Sequence, residues 1–175
     1  MISTFRQIGG YNKFKVTSIP LSKLNPNTLY DLTVNRLVQL YGSNETHTDF
    51  LNKVGRMLFN KKYVGTFPQD KAILDKKGTY YQIINTDLSN ESGTHWVALV
   101  NTPDTIYVYD SYGRDTRTLL PFLYSKVKNK KIKIIDSRND PEQTDIKEDK
   151  NTCGQRCLAF LWVVEKLGIK EAIKI

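Results

Sequence analysis

Residues 95–110, HWVALVNTPDTIYVYD, decide the fold because they contain two apolar runs separated by a short polar segment. Residues 95–100 and 105–109 are strand-like, and the segment 101–104 between them is typical of a turn. So short a connection implies that the two strands pair in antiparallel fashion. The stretch therefore predicts a β-hairpin.

Two polar residues lie at the open end of this hairpin. His95 stands at the beginning of the first strand beside Trp96, and Asp110 follows the apolar run of the second strand. The end of the second strand lies beside the start of the first, so Asp110 can approach His95 and select its tautomer. His95 is then suited to act as a base toward a thiol. A structural role remains the default for either residue taken alone.

Upstream of the hairpin, the pattern predicts two helices, a loop and a strand. Apolar residues recur three and four positions apart over 30–41, which favours a helix. A second helix is expected after an N-cap at Thr48 or Asp49. Residues 65–68, which begin with Gly and end with Pro, predict a loop, and residues 80–84 predict a further strand.

Downstream, residues 116–127 have helical spacing, 131–136 predict a strand and 137–151 form a charged segment typical of a loop. An apolar stripe over 153–167 predicts a mostly buried helix that Gly168 ends. The order of elements predicts an α+β fold in which helices flank a central, mostly antiparallel sheet. With neither a repeat nor a low-complexity linker, residues 1–175 are expected to form a single domain.

The last predicted helix carries the residues best suited to nucleophilic chemistry. Cys153 opens it, where the positive end of the peptide dipoles and free N–H groups stabilise a thiolate. Gly154 leaves space for a substrate carbonyl and free N–H groups for an oxyanion, and the amide of Gln143 could complete that oxyanion hole. Cys157, one turn later, is expected in the core. Alternatively, both cysteines are ordinary buried residues.

A metal site is not expected. A zinc site would need Cys153, Cys157, His47 and His95 to converge from three separate regions of the chain. His47 lies in a polar stretch and is expected to be solvated or to cap a helix. We therefore assign no metal to this sequence.

Composition and charge narrow the function further. The chain has 175 residues and a formal charge of +8, and its 39% apolar share rules out a disordered tail. The longest apolar run, 158–164, is far shorter than the roughly 18 residues of a membrane span. Two cysteines without an export signal favour a reducing compartment. Basic residues gather in 1–30, 53–62 and 126–133, which favours a polyanion such as DNA as a partner.

Four segments taken in order resemble one protein family. They are Gly-Thr-His-Trp at 93–96, Tyr-Val-Tyr-Asp-Ser-Tyr-Gly at 107–113, Gln143, and Cys-Gly-Gln-Arg-Cys-Leu-Ala-Phe-Leu at 153–161. This combination is similar to the adenovirus maturation protease (adenain) family, including its relatives in virophages and polinton-type elements. It resembles more distantly the proteases that remove ubiquitin-like proteins such as SUMO. The resemblance covers residues 60–165.

The resemblance implies an adenain-like, papain-like cysteine protease fold and a role for each residue. His95 would be the general base, Asp110 its orienting acid and Cys153 the nucleophile. Gln143 would donate to the oxyanion, and Trp96 would be a shielding aromatic. The segment between Gln143 and Cys153 is a few residues longer than is usual in the family.

The function implied is that of a viral cysteine endopeptidase that cleaves capsid or core precursor proteins during virion maturation, after small residues such as Gly. It implies a monomer in the virion and infected cell, neither secreted nor membrane-bound. No cofactor is required, although DNA or a viral peptide could activate the enzyme. With no third cysteine, the chain offers no evident tether for a covalent peptide. The alternatives are a protease of ubiquitin or ubiquitin-like conjugates and a non-enzymatic basic DNA-binding domain.

Overall fold

The protein has an α+β fold built on one five-stranded sheet. The computed structural model describes residues 14–44, 46–137 and 152–175. The strands are β1 (Tyr63–Pro68), β2 (Tyr80–Asn85), β3 (Trp96–Asn101), β4 (Thr105–Tyr109) and β5 (Lys133–Asp136). The helices are α1 (Pro26–Tyr41), α2 (Thr48–Phe59), α3 (Thr116–Leu119), α4 (Pro121–Val127), α5 (Cys153–Leu167) and α6 (Ile169–Ala172). The described part of the chain confirms the α+β class.

The sheet is mixed, with strands in the order β1-β2-β3-β4-β5. The predicted hairpin is confirmed: β3 pairs with β4 in antiparallel fashion, as β2 does with β3. However, β1 pairs with β2, and β4 with β5, in parallel fashion. The expectation of a mostly antiparallel sheet is therefore wrong. The outer parallel pairs arise because longer connections, one containing α3 and α4, return the chain to the same end of the sheet.

The strand β1 occupies residues for which the sequence predicts a loop. Its Gly65 has a φ of 141° and lies at an irregularity in the pairing with β2. Pro68 is the last residue of the strand. Gly at a bulge and Pro at the end of an edge strand are both compatible with a sheet. The prediction fails because pairing with β2 outweighs these local signals.

The helices differ from the predictions mainly at their ends. α1 starts earlier than expected because the side chain of Asn25 accepts a hydrogen bond from Thr28 N at 2.8 Å and caps it. At α2, His47 occupies the N-cap position without a side-chain cap bond, so neither Thr48 nor Asp49 is the cap. The predicted helix 116–127 is broken at Leu120, where a new helix starts with proline as its first residue.

The two faces of the sheet pack against different helices. Ala98 and Val100 of β3 join the core formed with α1, α2 and α5, whereas Val97 and Leu99 join the core formed with α4. Residues 153–164 of α5 are all buried, as its predicted stripe requires. This helix packs against β3, and its first residue, Cys153, lies near the residue that precedes β3, His95. None of the described helices has the length and apolarity needed to cross a bilayer.

Candidate active site

His95 and Asp110 form a hydrogen-bonded pair at the open end of the hairpin. The register pairs Ala98 with Tyr109, so Asp110 follows β4 directly opposite the start of β3. His95 Nε2 and Asp110 Oδ1 are 2.6 Å apart, and their side chains are 8% and 1% exposed. The sequence prediction that these two residues meet is confirmed. A buried carboxylate at this distance orients the imidazole ring and favours one tautomer.

Cys153 completes the cluster from the other side of His95. It is the first residue of α5, is 7% exposed, and lies close enough to the His95 ring for its thiol to raise the pKa of the imidazole. Because Nε2 is bound to Asp110, Nδ1 is the ring nitrogen left to face the sulfur. The N–H groups of the first turn of α5 lie at this end of the helix and favour negative charge there. The structure thus places a thiol, an imidazole and a carboxylate in series.

The Asp110 carboxylate also receives hydrogen bonds from the loop that follows β4. Arg114 donates from Nε to Oδ2 at 3.0 Å and from Nη2 to Oδ1 at 3.3 Å. The backbone N–H groups of Arg114 and Tyr112 donate to Oδ2 and Oδ1 at 3.1 and 3.3 Å. Both oxygens therefore have several donors, which satisfies the charge of a nearly inaccessible carboxylate.

These contacts change the proton affinities of the pair in opposite directions. Burial alone would raise the pKa of Asp110, but the hydrogen bonds and positive charges of His95 and Arg114 lower it well below its usual value. Burial lowers the pKa of His95, but hydrogen bonds with Asp110 and Cys153 and their charges outweigh it, so that the pKa is raised. The surroundings therefore favour an imidazolium beside an ionised carboxylate.

The second cysteine has no place in this series. Cys157 is completely buried within the α5 core, as the sequence predicts. Burial raises the pKa of its thiol, and the nearby charges of Cys153 and Asp110 raise it further. Cys157 therefore stays a neutral thiol, and both cysteines are free.

A groove of about 420 Å³ opens beside the Cys153 sulfur. Its walls come from the start of α2, the ends of β1 and β2, and the loop before β3, and they include Thr46, Pro68, Asn85, Gly93, Thr94 and Trp96. The Trp96 indole donates from Nε1 to the carbonyl oxygen of Thr46 at 2.9 Å. This bond joins the wall formed by the α1–α2 connection to the wall formed by β3. Trp96 thus lines the groove together with Cys153, and its role as a shielding aromatic stays a prediction.

Gly154 packs against the α1–α2 connection. A Cβ at this position would overlap the Thr46 hydroxyl oxygen and lie 2.9 Å from Thr46 Cβ and 3.0 Å from Leu51 Cδ2. The absence of a side chain is therefore required by packing, which no local pattern in the sequence indicates. The next residue, Gln155, donates from Nε2 to the carbonyl oxygens of Gly42 and Asn44 and holds the same connection against α5.

Gln143 and His47 are the other residues that the sequence singles out, and the structure adds little about their roles. Gln143 lies outside the described residues, so its oxyanion role stays a prediction. His47 is exposed at the N-cap position of α2 and lines the groove. Within residues 14–44, 46–137 and 152–175, no three His, Cys, Asp or Glu side chains form a group that could hold a metal ion.

Sequence reasoning missed two residues next to the site. Arg114 lies four residues after Asp110, but in a loop this spacing carries no signal for contact. Thr46 lies 50 residues before the Trp96 side chain that it binds, and nothing local in the sequence indicates their contact. An expectation that a buried carboxylate needs a cation could have directed attention to Arg114.

The arrangement can pass a proton between a thiol and an imidazole, return that proton to a leaving group and bind a ligand in the groove that Cys153 lines. These abilities are typical of acyl transfer through a covalent intermediate. Comparison of the chain with protein-family models and with curated proteins found no match.

Proposed function

We propose that this protein is a cysteine endopeptidase with Cys153 as nucleophile, His95 as general base and acid, and Asp110 as the acid that orients His95. The observation that carries the proposal is the series formed by the Cys153 thiol, the His95 ring and the Asp110 carboxylate. The groove beside Cys153 supports it, because a nucleophile acts only where a substrate can reach it.

The proposed reaction has two steps. The Cys153 sulfur attacks the scissile carbonyl carbon, its proton having passed to His95, and His95 then protonates the departing amine as the C–N bond breaks. Water, deprotonated by His95, attacks the resulting thioester and releases the carboxylic acid and the thiol. The N–H groups at the start of α5 stabilise the tetrahedral oxyanion in both steps, and Gln143 is the proposed additional donor.

For the substrate, we propose capsid or core precursor proteins cleaved after small residues such as Gly. The resemblance to the adenovirus maturation protease family supports this class, and the groove supports an extended polypeptide. Gly93 packs closely against Asn85 in the lining of the groove, since a Cβ there would lie 2.9 Å from Asn85 Nδ2. The second candidate is a ubiquitin-like conjugate, whose Gly-Gly end would be bound in the same groove.

Exposed lysines support a DNA surface on this protease. In the run 126–133, Lys130 pairs with Asp75 at 2.8 Å, whereas Lys128, Lys131 and Lys133 are exposed. None of these lysines lines the groove. Retention on viral DNA by these side chains would leave the groove open to substrate, and its affinity would fall steeply with salt.

The test compares Cys153→Ala with Cys157→Ala as a matched control. Each protein is treated with iodoacetamide at pH 6 and assayed on a precursor peptide containing a Gly site and on a ubiquitin-like conjugate. We expect Cys157→Ala to retain labelling and cleavage of the precursor peptide, and Cys153→Ala to lose both. Cleavage by Cys153→Ala at the wild-type rate would overturn the proposal. Cleavage of the conjugate alone would replace the proposed substrate class by the second candidate.

If the protein were only a DNA-binding domain, iodoacetamide would not label Cys153 selectively in the folded protein, and salt-sensitive DNA binding would be its sole activity. The same protein samples distinguish this outcome. DNA binding is measured at two salt concentrations with wild type and Cys153→Ala, which should bind equally well under the protease proposal.

A further inference from the structure

Arg114 contacts the candidate site in two ways. Its guanidinium binds both oxygens of the Asp110 carboxylate, at 3.0 and 3.3 Å, and its Cζ lies 4.7 Å from the centre of the Tyr112 ring. The Tyr112 ring in turn lies 5.2 Å from that of His95. Arg114 therefore contacts the carboxylate that binds His95 and the aromatic ring that packs against His95.

The two carboxylate oxygens depend on Arg114 to different extents. Oδ1 accepts hydrogen bonds from His95, Tyr112 N and Arg114. Among the described residues, Oδ2 accepts only from Arg114, through its backbone N–H and Nε. The Asp110 side chain is 1% exposed, so leaving one of its oxygens without a charged donor would cost free energy. The carboxylate would then rotate to bring that oxygen to another donor.

We propose that Arg114 is a positioning residue that holds the Asp110 carboxylate in the orientation in which it supports the His95 imidazolium. This inference rests on the proposed function and adds a residue to the site. Arg114 does not touch the Cys153 sulfur or the groove. Its side chain is 43% exposed, so the contact links a buried catalytic group to the solvent.

The direction of the effect follows from the orientation of the carboxylate, because loss of a positive charge beside the pair would by itself favour the imidazolium. Besides Arg114, the titratable groups of the described residues that face Asp110 and His95 are Cys153 and the neutral, buried Cys157 on α5, and Tyr112 on the loop. Without the guanidinium, the carboxylate loses its orientation toward His95. The imidazolium is then less stable, and the thiolate that it accompanies forms only at higher pH.

The experiment measures the rate of iodoacetamide labelling of Cys153 from pH 4 to 9 in the Cys157→Ala background. We expect Arg114→Gln to shift the acid limb of this profile upward by about one pH unit, which is about a tenfold slower labelling at pH values well below the midpoint of that limb. Arg114→Lys keeps the charge but not the two-pronged geometry and should fall between wild type and Arg114→Gln. Arg117→Gln, whose guanidinium lies over Tyr124 instead, is the control and should match wild type.

Thermal unfolding of each variant separates a positioning role from a loss of fold. The inference is overturned if Arg114→Gln, folded at the measuring temperature, gives the wild-type profile, or if Arg114→Lys gives it, since the charge alone would then suffice. A wild-type Cys153 that labels no faster than an ordinary thiol at pH 6 would instead overturn the proposed function, and with it the role of Arg114. If Arg114→Gln does not fold, the labelling profile of Arg114→Lys tests the inference instead.

Discussion

The Thr46 side chain occupies the space where a side chain at Gly154 would lie. A Cβ built on Gly154 overlaps the Thr46 hydroxyl oxygen, and the Thr46 carbonyl accepts the indole hydrogen bond of Trp96. Thr46 therefore joins Gly154, the residue after Cys153, to Trp96 in the wall of the groove. Gly154 is required by this packing, and the path of the α1–α2 connection beside Cys153 depends on it.

Gly154→Ala should destabilise the protein by about 1–3 kcal/mol, because the added methyl group has no space in the packed structure. Equilibrium urea unfolding measures the change. In a Thr46→Gly background the same substitution should cost clearly less, since the overlapping side chain is gone. Equal costs in the two backgrounds would show that Thr46 is not the constraint.

Asp110→Asn should lower kcat/KM by about 10² to 10⁴-fold, because a neutral amide supports the His95 imidazolium poorly and can favour the wrong tautomer. Peptide hydrolysis under first-order conditions gives the ratio. The control is Asp104→Asn at the opposite end of the hairpin, where Asp104 binds Thr105. A decrease of less than threefold for Asp110→Asn would be incompatible with the role assigned to this residue.

Trp96→Phe should raise KM about three- to tenfold and change kcat little. The variant keeps an aromatic wall but loses the donor to Thr46 O, a hydrogen bond worth about 1 kcal/mol. Steady-state kinetics separate the two parameters. The matched control is Trp162→Phe. Trp162 lies on α5 and packs against Phe14, so this substitution should leave KM unchanged. An unchanged KM for Trp96→Phe would show that this hydrogen bond does not contribute to substrate binding.

The Asp110–His95 pair should stabilise the fold most between about pH 4 and 6.5. The pKa of Asp110 is lowered on folding, so its contribution is present above its ordinary value near 3.9 and is lost as the pH falls through the lowered pKa. The pKa of His95 is raised, so its contribution is complete below about 6.5 and is lost as the pH rises through the raised pKa.

Urea unfolding of wild type and Asp110→Asn at pH 3, 5 and 9 measures this window. The difference in the free energy of unfolding should be largest at pH 5 and smaller at both extremes. A difference that is constant across the three pH values would mean that the pair does not titrate on folding as its contacts indicate.

The hairpin and the helix of Cys153 could be predicted because their signals are local. Alternation of apolar residues and a short turn define β3 and β4, and their antiparallel pairing brings Asp110 to His95. Apolar spacing likewise defines α5 and places Cys153 at its beginning. β1 was missed because its formation depends on pairing with β2, later in the chain. The local signals of Gly65 and Pro68 indicate a loop instead.

The sequence by itself determined which residue types could carry a thiol reaction and on which elements they lie. Only the tertiary structure decided that Cys153 reaches His95, that Thr46 closes the space over Gly154, and that Arg114 binds Asp110. The physical reason is that periodicity and turn chemistry act over a few residues. The packing of α5 on β3 and the satisfaction of a buried carboxylate depend on groups that meet only when the whole core forms.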